Sequence, residues 1–564
     1  MFVKIPVYRQ LTWQDMATQF YMSEKQAKKI ADSEHVFFYE HVTKILLEHQ
    51  EIFAPLYEDK STGRPAVSPA IIMASFIYAD RFLIPDRQLI DALWTNNDLR
   101  RALGIEGYGP CVHVKPWCRE THVSFRKRLA DYLEETGIDL AKEAVKILNA
   151  EYEKAMNMTY NTLRSDSTLI HANIKVESRE ELLFDAIRLF ARDLVRLFPA
   201  ETLTHWGLDV EMLEKFFKNK TLRNQLTYYA NMTRPEVRQL YIDTFIEFVN
   251  VAESPDFKDC TILEMPSFKL MVKVFKQQCY RVDNPDGSLG IVMAKPGSGI
   301  LRPTNIQSLY DLDCAFRQKG DVIIRGYVFN TVEAIDLGRS LIVDWALHPA
   351  TKGDIDMLRE YVELLPDVSV LVPEESYRRI IVDGAYYSEE LRKLCLRKGY
   401  KLIATDLTGS PGNPFLGQFE YSEEAQEIQF CPAGSKPDHC NPVNKQGQMK
   451  AYMDQATCDN CPHRAECCAS KTGIVTLTPS QINRGKIEVY YGTEEGKAAR
   501  NVRSGIEGVQ SNVKNRYLRD RMKYKCLSKN RTDMACVVGN MNLTKLWEFE
   551  HGTGRYVHND TLTA

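Results

Sequence analysis

Three acidic residues, Asp166, Asp383 and Glu507, are of the type and in the settings that metal-assisted phosphoryl transfer requires. Hard divalent cations prefer oxygen ligands, and carboxylates also offset their charge. Two such ions held about 4 Å apart activate an attacking oxygen and stabilise a leaving oxygen in phosphoryl transfer. Because the three residues lie far apart in the sequence, only the fold can bring them together. We therefore take them as candidate catalytic residues and as candidate ligands of Mg²⁺ or Mn²⁺.

Asp383 follows a short apolar segment, residues 379–382, that has the composition of a buried strand. Gly384 after it permits a tight turn, and residues 388–397 and 401–405 predict a helix and a second strand. A strand, a helix and a strand of this length indicate a parallel βαβ unit, and ligands bind at the carboxyl ends of strands in parallel sheets. The alternative is an Asp that only caps a helix or forms a turn.

Asp166 lies inside a strand-like segment, residues 158–174. A lone Asp is disfavoured in strands, so a specific interaction must hold it there. A bound cation is one such interaction. An ion pair with Arg164 or with the region of Lys175 is the alternative.

Glu507 is predicted to lie on a helix, residues 496–518, that has one apolar and one basic face. At about 100° per residue, Glu507 lies about 120° from the centre of the apolar stripe. The stripe consists of Val502, Ile506, Val509, Val513 and Tyr517, and the face around Glu507 carries Arg500, Arg503, Ser511 and Lys514. A carboxylate among cations suits a metal ligand beside a groove that grips phosphates, or else the centre of a surface ion-pair cluster.

Basic residues are concentrated near Glu507, although the chain as a whole carries a net charge of −3. Residues 496–531 contain eleven Lys or Arg and two acids, a net charge of +9, which is dense enough to attract a polyanion. A solvated helix face is the alternative, but such faces usually mix charges of both signs. We predict nucleic-acid contacts for residues of this segment and of a second basic cluster: Arg500, Arg503, Lys514, Arg516, Arg126, Lys127 and Arg128. For the second cluster, the pattern alone fits a plain helical core equally well.

Six of the 14 cysteines fall between Cys431 and Cys468. The pattern Cys458-x2-Cys461-x5-Cys467, with Cys431 upstream, offers four thiolates with the spacing of a structural Zn²⁺ site. Four cysteines also hold iron–sulfur clusters, and reduced, unliganded thiols are a third interpretation. Further candidate ligands are His439, Cys440, His463 and Cys468. A metal here would be structural, because the surrounding loop-rich segment is expected to have little core of its own.

Secretion and membrane insertion are not predicted by any segment of the sequence. Residues 1–16 have no basic region followed by an apolar stretch, and no apolar run approaches the roughly 20 residues that span a bilayer. We therefore expect a chain of the cytoplasm with reduced cysteines. Its 564 residues are too many for one core and predict about two to four domains.

The hydrophobic period changes along the chain, which predicts an α/β fold. Helices are predicted at residues 69–83, 86–103, 181–198 and 354–365, the last with Asp354 as its N-cap. Residues 281–312 are rich in Gly, Pro, Asp and Asn and are predicted to form a loop or linker. Residues 321–335 and 340–347 are rich in β-branched and aromatic types and predict a hairpin.

Three segments, in this order, resemble the catalytic motifs of the DDE transposases of bacterial insertion sequences. They are Arg164-Ser165-Asp166-Ser167-Thr168, Val382-Asp383-Gly384-Ala385-Tyr386 and Arg503-Ser504-Gly505-Ile506-Glu507-Gly508-Val509. Each motif alone is weakly specific, but the ordered set is fairly specific. Ala385 departs from the second Gly that is usual there. The predicted hairpin and the helical segment from Gly63 to Gly104 also resemble this family, so the resemblance covers most of the chain.

This resemblance implies an α/β fold with a ribonuclease-H-like mixed sheet flanked by helices. It further implies Mg²⁺ dependence, cleavage at the ends of a mobile DNA element, and transfer of 3′-hydroxyl ends into target DNA. The partners would be double-stranded DNA and a second copy of the chain, at the nucleoid of the bacterial cytoplasm. A transposase-derived DNA-binding protein without catalysis and a ribonuclease-H-like nuclease are the alternatives.

Together, the patterns and the resemblance predict how the chain divides. The predicted segments are residues 1–155, an N-terminal helical domain for DNA-end binding or dimerisation; 156–178, the first strand of the catalytic core; 179–311, a helical insertion and linker; 312–425, the core continued; 426–475, a cysteine-rich metal-binding insertion; 476–545, the basic C-terminal helix of the core; and 546–564, a tail.

Overall fold

The computed structural model of the chain describes residues 2, 4, 23–58, 66–105, 115–218, 233–253, 261–283, 289–336, 338–368, 376–405, 412–422, 425–441, 443–516 and 518–553. Its helices are α1 Glu24–Ala31, α2 Glu34–Phe38, α3 Lys44–Glu48, α4 Pro69–Arg81, α5 Asp86–Thr95, α6 Asn97–Ala102, α7 Arg119–Thr136, α8 Leu140–Met156, α9 Arg179–Leu197, α10 Ala200–His205, α11 Val210–Lys218, α12 Arg234–Glu253, α13 Pro266–Gln278, α14 Asp354–Leu364, α15 Glu389–Arg397, α16 Gln455–Asp459, α17 Pro479–Tyr491, α18 Glu494–Asn515 and α19 Leu527–His551. Its strands are β1 Thr162–His171, β2 Cys279–Asp283, β3 Leu289–Met293, β4 Ala315–Lys319, β5 Val322–Asp336, β6 Arg339–Pro349, β7 Arg378–Asp383, β8 Tyr400–Thr405, β9 Glu420–Ser422, β10 Glu427–Phe430, β11 His439–Asn441, β12 Met449–Tyr452 and β13 Ile474–Leu477. Within these residues, no helix is both long enough and apolar enough to cross a membrane.

The described part of residues 23–156 folds into helices α1 to α8. The helix expected at 69–83 is α4, which is buried along almost its whole length. The single helix expected at 86–103 is wrong, because the chain breaks at Asn96 into α5 and α6. The Asn96 side chain accepts a hydrogen bond from the Leu99 N–H at 2.9 Å and so caps the second helix.

A mixed sheet of six strands forms the centre of the fold. Its strands lie in the order β6–β5–β1–β7–β8, and β4 pairs with the first residues of β5. β5 is antiparallel to both β6 and β1, whereas β1, β7 and β8 run parallel. The predicted hairpin and the predicted parallel βαβ unit are therefore confirmed. Gly338, in the hairpin turn, has a φ of +78°, a left-handed conformation that glycine adopts without strain.

Helices cover both faces of this sheet. On one face, α8 and α19 pack against β6, and the core contains Phe329, Trp345 and Leu543. On the other face, α14 and α15 contribute Leu358 and Leu391 to a second core with β1, β7 and β8. The N-terminal helices therefore share one continuous core with the sheet and with α19, so they cannot be removed without exposing that face of the sheet.

The long segment between β1 and β4 has a separate core. Helices α9 to α13 pack around Phe190 and Phe275, and the helix expected at 181–198 is α9. The loop expected at 281–312 is partly wrong, because β2 and β3 pair there as an antiparallel hairpin. This segment is thus a helical layer with its own buried interior.

The cysteine-rich segment also has a core of its own, contrary to expectation. Strands β11, β12 and β13 form an antiparallel sheet, and Phe419, Met449 and Val475 are buried together. Gly417 and Gly485 approach so closely that a Cβ on either would lie 2.3 Å from the backbone of the other. This contact fixes the chain just before the segment to α17, the helix that precedes α18.

Candidate active site

Asp166 and Asp383 lie on the neighbouring central strands β1 and β7, side by side at the point where β7 ends. Strands β1 and β7 are parallel neighbours with Ser165 opposite Val382, so the next residue of each strand is an aspartate. Burial raises the pKa of Asp166, and the negative charges of Asp383 and Asp354 raise it further. Parallel pairing therefore brings two of the three candidate carboxylates together.

Asp383 is the last residue of β7 and caps the turn that follows. Its Oδ1 accepts a hydrogen bond from the Gly384 N–H at 2.6 Å, and its Oδ2 lies 3.8 Å from Arg503 Nη2. The side chain is 36% exposed. Asp383 therefore forms the turn that the structural alternative expected, while its second oxygen faces a cation and solvent.

Glu507 projects from α18, which packs against β1, β7 and β8. Its side chain is 63% exposed, and its Oε1 lies 3.2 Å from Arg503 Nη1. Arg503 also faces Asp383, and its charge opposes the burial that raises the pKa of Asp166. Arg503 therefore faces two of the candidate carboxylates directly, and its charge also acts on the third, Asp166.

Helix α18 is held against the sheet by an apolar stripe and by Gln510. The buried stripe residues are Ile506, Val509 and Val513; Val502 is half-buried, and Tyr517 lies outside the described residues. Gln510 Nε2 donates to the carbonyl of Asp166 and to the hydroxyl of Thr331, both at 2.9 Å. These contacts fix the position of the helix relative to β1. The helix ends at Asn515, earlier than predicted.

Arg164, in the first motif, connects β1 to α18. Its guanidinium donates to the Val502 carbonyl. Gly505 makes room for it, because a Cβ there would lie 2.1 Å from Arg164 Nη1. Gly508 on the same helix has no neighbour within 4 Å of its own Cβ position. Of the two glycines in the third motif, only Gly505 is needed for this packing.

Arg164 is also one of two cations that neutralise Glu333, a carboxylate buried towards the C-terminal end of β5. Arg164 Nη2 lies 2.6 Å from Glu333 Oε2, and Lys545 from α19 contacts the other oxygen. Burial by itself raises the pKa of Glu333, but the attraction of Lys545 and Arg164 outweighs it and holds the pKa at about 2. Glu333 was not predicted from the sequence, although a charged residue inside an apolar strand is a visible signal.

Polar residues beside the carboxylates form a second set that the sequence analysis missed. Ser167 Oγ donates to Asp354 Oδ1 at 2.8 Å. Asp354 is the first residue of α14, and the N-cap is Gly353, which corrects the prediction. The Tyr386 hydroxyl donates to Asn330 Oδ1 at 2.7 Å, and burial raises the pKa of Tyr386, so this hydroxyl stays protonated. These side chains surround Asp166 and Asp383 with fixed donors and acceptors.

The cations predicted to contact nucleic acid occupy different environments. Arg126 is buried, donates to Asp86 at 3.0 Å, and lies over the rings of Phe76 and Tyr524. It therefore stabilises the N-terminal core instead of presenting its charge to solvent. Arg519, in the basic segment, is likewise buried between two aspartates. The others are exposed (Lys127, Arg128, Arg516) or half-buried (Arg500, Arg503, Lys514).

The predicted zinc ligands line one cavity of about 20 Å³. Its lining includes Cys431, Cys458, Cys461, Cys467, His463, Phe415 and Val475. Burial raises the pKa of Cys458, and the neighbouring thiols raise it further. The Cys461 N–H donates to the Cys458 carbonyl at 3.2 Å, closing the turn of the Cys-x2-Cys pair. Cys440 lies outside this lining and donates instead to the Ile428 carbonyl at 3.5 Å.

Among the described residues, the ligands of neither candidate metal site are arranged around a common point where an ion could bind. Across the described residues, no group of three or more His, Cys, Asp or Glu side chains is placed so that it could hold a metal ion. At the carboxylates, Arg503 lies between Asp383 and Glu507. The donor types nevertheless fit: oxygen ligands suit Mg²⁺ or Mn²⁺, and thiolates suit Zn²⁺.

Replacing Gly505 with Ala is expected to destabilise the protein, although Ala favours a helix. The new Cβ displaces the Arg164 guanidinium from Glu333 or moves α18. Loss of a charge-assisted hydrogen bond costs about 1.5–3 kcal/mol, against about 1 kcal/mol gained in helix propensity. Gly508→Ala is the matched control, and it should be slightly more stable than the parent. Denaturant titrations measure both, and equal stability of the two variants would contradict the role of Gly505.

Acid is expected to remove the stabilisation that Glu333 provides. Its folded pKa of about 2 lies below the ordinary value of 4.5. The stabilisation is therefore complete above pH 4.5 and lost as the pH falls from 4.5 towards 2. The shift corresponds to a free energy on the order of 3 kcal/mol. Glu333→Gln should be less stable at neutral pH and should lose less stability in acid; parallel pH profiles of parent and variant, measured by thermal unfolding, would exclude this role.

Comparison with protein families gives two matches. A model of a transposase DDE domain matches residues 430–547, and a model of a transposase domain (DUF772) matches residues 25–118. The first match contains Glu507 and the cysteine cluster, whereas Asp166 and Asp383 lie outside both. No curated protein and no solved structure gives a match. The two matches agree with the resemblance of the three motifs, and together they indicate a DDE-type transposase of an insertion sequence.

Proposed function

We propose that the protein binds the ends of a mobile DNA element, cleaves phosphodiester bonds there and transfers the freed 3′-hydroxyl ends into target DNA. One observation carries the proposal: Asp383 and Glu507 both face Arg503, and parallel pairing places Asp166 beside Asp383. The transposase DDE domain supports the same reaction class, because it belongs to enzymes that cut and join DNA.

Asp166 and Asp383 would be shared ligands of two divalent ions, and Glu507 would be the third ligand. Bound Mg²⁺ or Mn²⁺ would activate the attacking oxygen and stabilise the leaving oxygen. The chain itself supplies position. Asp383 is fixed by a strand end and a turn, and the helix of Glu507 is bound to the sheet by Gln510. Groups fixed before the reaction lower the entropic part of its barrier.

The proposed DNA contact follows α18 and the chain beyond it. Arg500 lies about two turns before Glu507, and Lys514 and Arg516 lie about two turns after it. Cations on both sides of the carboxylates suit a backbone that crosses the helix, since phosphates dominate protein–DNA attraction. Arg126 is left out of this proposal because its guanidinium is buried against Asp86.

We further propose that the sheet is a ribonuclease-H-like core and that the segments predicted from the sequence are its parts and insertions. An order of three antiparallel strands followed by two parallel ones supports this. The N-terminal helices, with the exposed Lys127 and Arg128, would bind element ends or a second copy of the chain. A homodimer is expected, because two ends must be joined in one event, and the bacterial nucleoid is the expected place.

For the cysteine cluster we propose a structural Zn²⁺ bound by Cys431, Cys458, Cys461 and Cys467. Their common cavity supports this, as does the soft thiolate donor set. An iron–sulfur cluster is the alternative for four cysteines. Bound metal would link Cys431, the turn from Cys458 to Cys461, and Cys467, and so stabilise the segment around it.

Asp383→Asn and Glu507→Gln are each expected to reduce cleavage of a duplex carrying an element end by at least about a hundredfold. Each change removes a negative charge that would hold a divalent ion. Glu494→Gln is the matched control: it removes a carboxylate from the same helix, where Glu494 pairs with Lys497 at 2.7 Å. Strand cleavage with Mg²⁺ or Mn²⁺ is the measurement, and parental cleavage by Asp383→Asn would refute the assignment.

Joined products in the same assay distinguish the alternatives. A transposase converts the cleaved 3′ ends into strand-transfer products, whereas a nuclease of this fold leaves them free. A DNA-binding protein without catalysis would bind the duplex with a steep salt dependence and cut neither strand.

Purified protein is expected to contain about one zinc ion per chain at the cysteine cluster. Cys458→Ser should lose the zinc and melt at a lower temperature, because the metal stabilises the fold around it. Cys440→Ser is the control, since Cys440 lies outside the cavity. Metal analysis that finds neither zinc nor iron would end this proposal, and stoichiometric iron with visible charge-transfer absorption would replace zinc by a cluster.

A further inference from the structure

Arg503 occupies the place that the proposed function assigns to divalent ions. Its guanidinium lies 3.2 Å from Glu507 and 3.8 Å from Asp383, and its charge also acts on Asp166. Among the described residues, its buried Nε has no hydrogen-bond partner. The guanidinium is therefore held mainly by the charge of the carboxylates and not by a complete set of directed bonds.

We propose that Arg503 and a divalent ion are alternative occupants of the carboxylate site, and that duplex DNA selects the ion by drawing the Arg503 guanidinium onto a phosphate. This rests on the proposed function, because it takes the three carboxylates as metal ligands. Without DNA, Arg503 neutralises the carboxylates and opposes metal loading. With DNA, the guanidinium gains a phosphate partner and leaves the carboxylates to the metal.

The physical basis is competition between cations for the same negative charges. Carboxylates this close repel each other unless a cation lies among them. An ion pair with a carboxylate that is 63% exposed, such as Glu507, is weak. A phosphate offers the planar guanidinium two parallel hydrogen bonds, which is a stronger arrangement. Exchange from carboxylate to phosphate is therefore favourable once DNA lies along α18.

Linkage makes the effect reciprocal. If DNA tightens metal binding by some factor, the metal must tighten DNA binding by the same factor. A chain free in solution would load metal poorly even in abundant Mg²⁺. In this proposal Arg503 controls whether the carboxylates bind a metal ion. An Arg with a purely structural role would only stabilise its helix through the pair with Glu507.

The test measures Mn²⁺ binding to the full chain by calorimetry, alone and with a short blunt-ended duplex. Mn²⁺ prefers oxygen ligands, so the cysteines contribute little to the signal. Without DNA, Arg503→Gln should bind Mn²⁺ at least about tenfold more tightly than the parent, and it should lose the tightening that the duplex gives the parent. Lys497→Gln removes the same charge from the same helix, where Lys497 pairs with Glu494 at 2.7 Å, and should bind Mn²⁺ as the parent does.

Unchanged or weaker Mn²⁺ binding by Arg503→Gln overturns the inference, since a merely structural Arg would give that result. Asp383→Asn separates this from failure of the proposed function. If Asp383→Asn loses the bound Mn²⁺ and Arg503→Gln gains no affinity, the metal site stands and only the inference fails. If Asp383→Asn binds Mn²⁺ as the parent does, both fail. Arg503→Lys should bind Mn²⁺ more tightly than the parent but less tightly than is expected for Arg503→Gln. Circular dichroism checks that it folds, and it keeps the test decisive if Arg503→Gln does not fold.

Discussion

Glu333 is a carboxylate buried within a central strand, and such a group must be neutralised where it lies. Arg164 and Lys545 do this from β1 and from α19. Arg164 then continues to a backbone carbonyl of α18, which is possible only because Gly505 has no side chain. One buried charge therefore fixes the relative positions of the strand that carries the first candidate carboxylate, the helix that carries the third, and the C-terminal helix behind them.

Elements whose signal is local were predictable from the sequence. The hairpin β5–β6, the parallel unit β7–α15–β8 and the helix beginning at Pro69 each have a composition and a length that indicate the element without any distant contact. The break at Asn96 was missed because Asn fits an amphipathic pattern and only its cap bond ends the helix. The core of the cysteine-rich segment was missed because Phe419, Met449 and Val475 are far apart on short strands, where a sequence window sees no pattern.

The three carboxylates of the candidate site could be predicted from the sequence, whereas the cations around them could not. A strand interior, a strand end and a basic helix pointed to the three carboxylates, and parallel pairing explains why two of them meet. Whether a cation in a charged run faces inward cannot be inferred from spacing. Arg126 and Arg519 belong to basic clusters, yet each is buried against aspartates from other helices. Arg503 needed the structure as well, since its two partners lie on a strand end and on its own helix.

The contacts that hold the site together are separated by long stretches of chain. Glu333 and its partner Lys545 are 212 residues apart, and Gln510 bonds a carbonyl 344 residues before it. A ribosome adding roughly 5–20 residues per second needs about 10–40 s to pass from the first residue of that ion pair to the second. Throughout that interval only Arg164, which is synthesised before Glu333, can offset the charge of the buried carboxylate, and its second cation is missing. The contact that completes this buried charge cluster is therefore among the last to be synthesised, and a chain that ends before α19 lacks both that cation and the apolar cover that α19 gives to one face of the sheet.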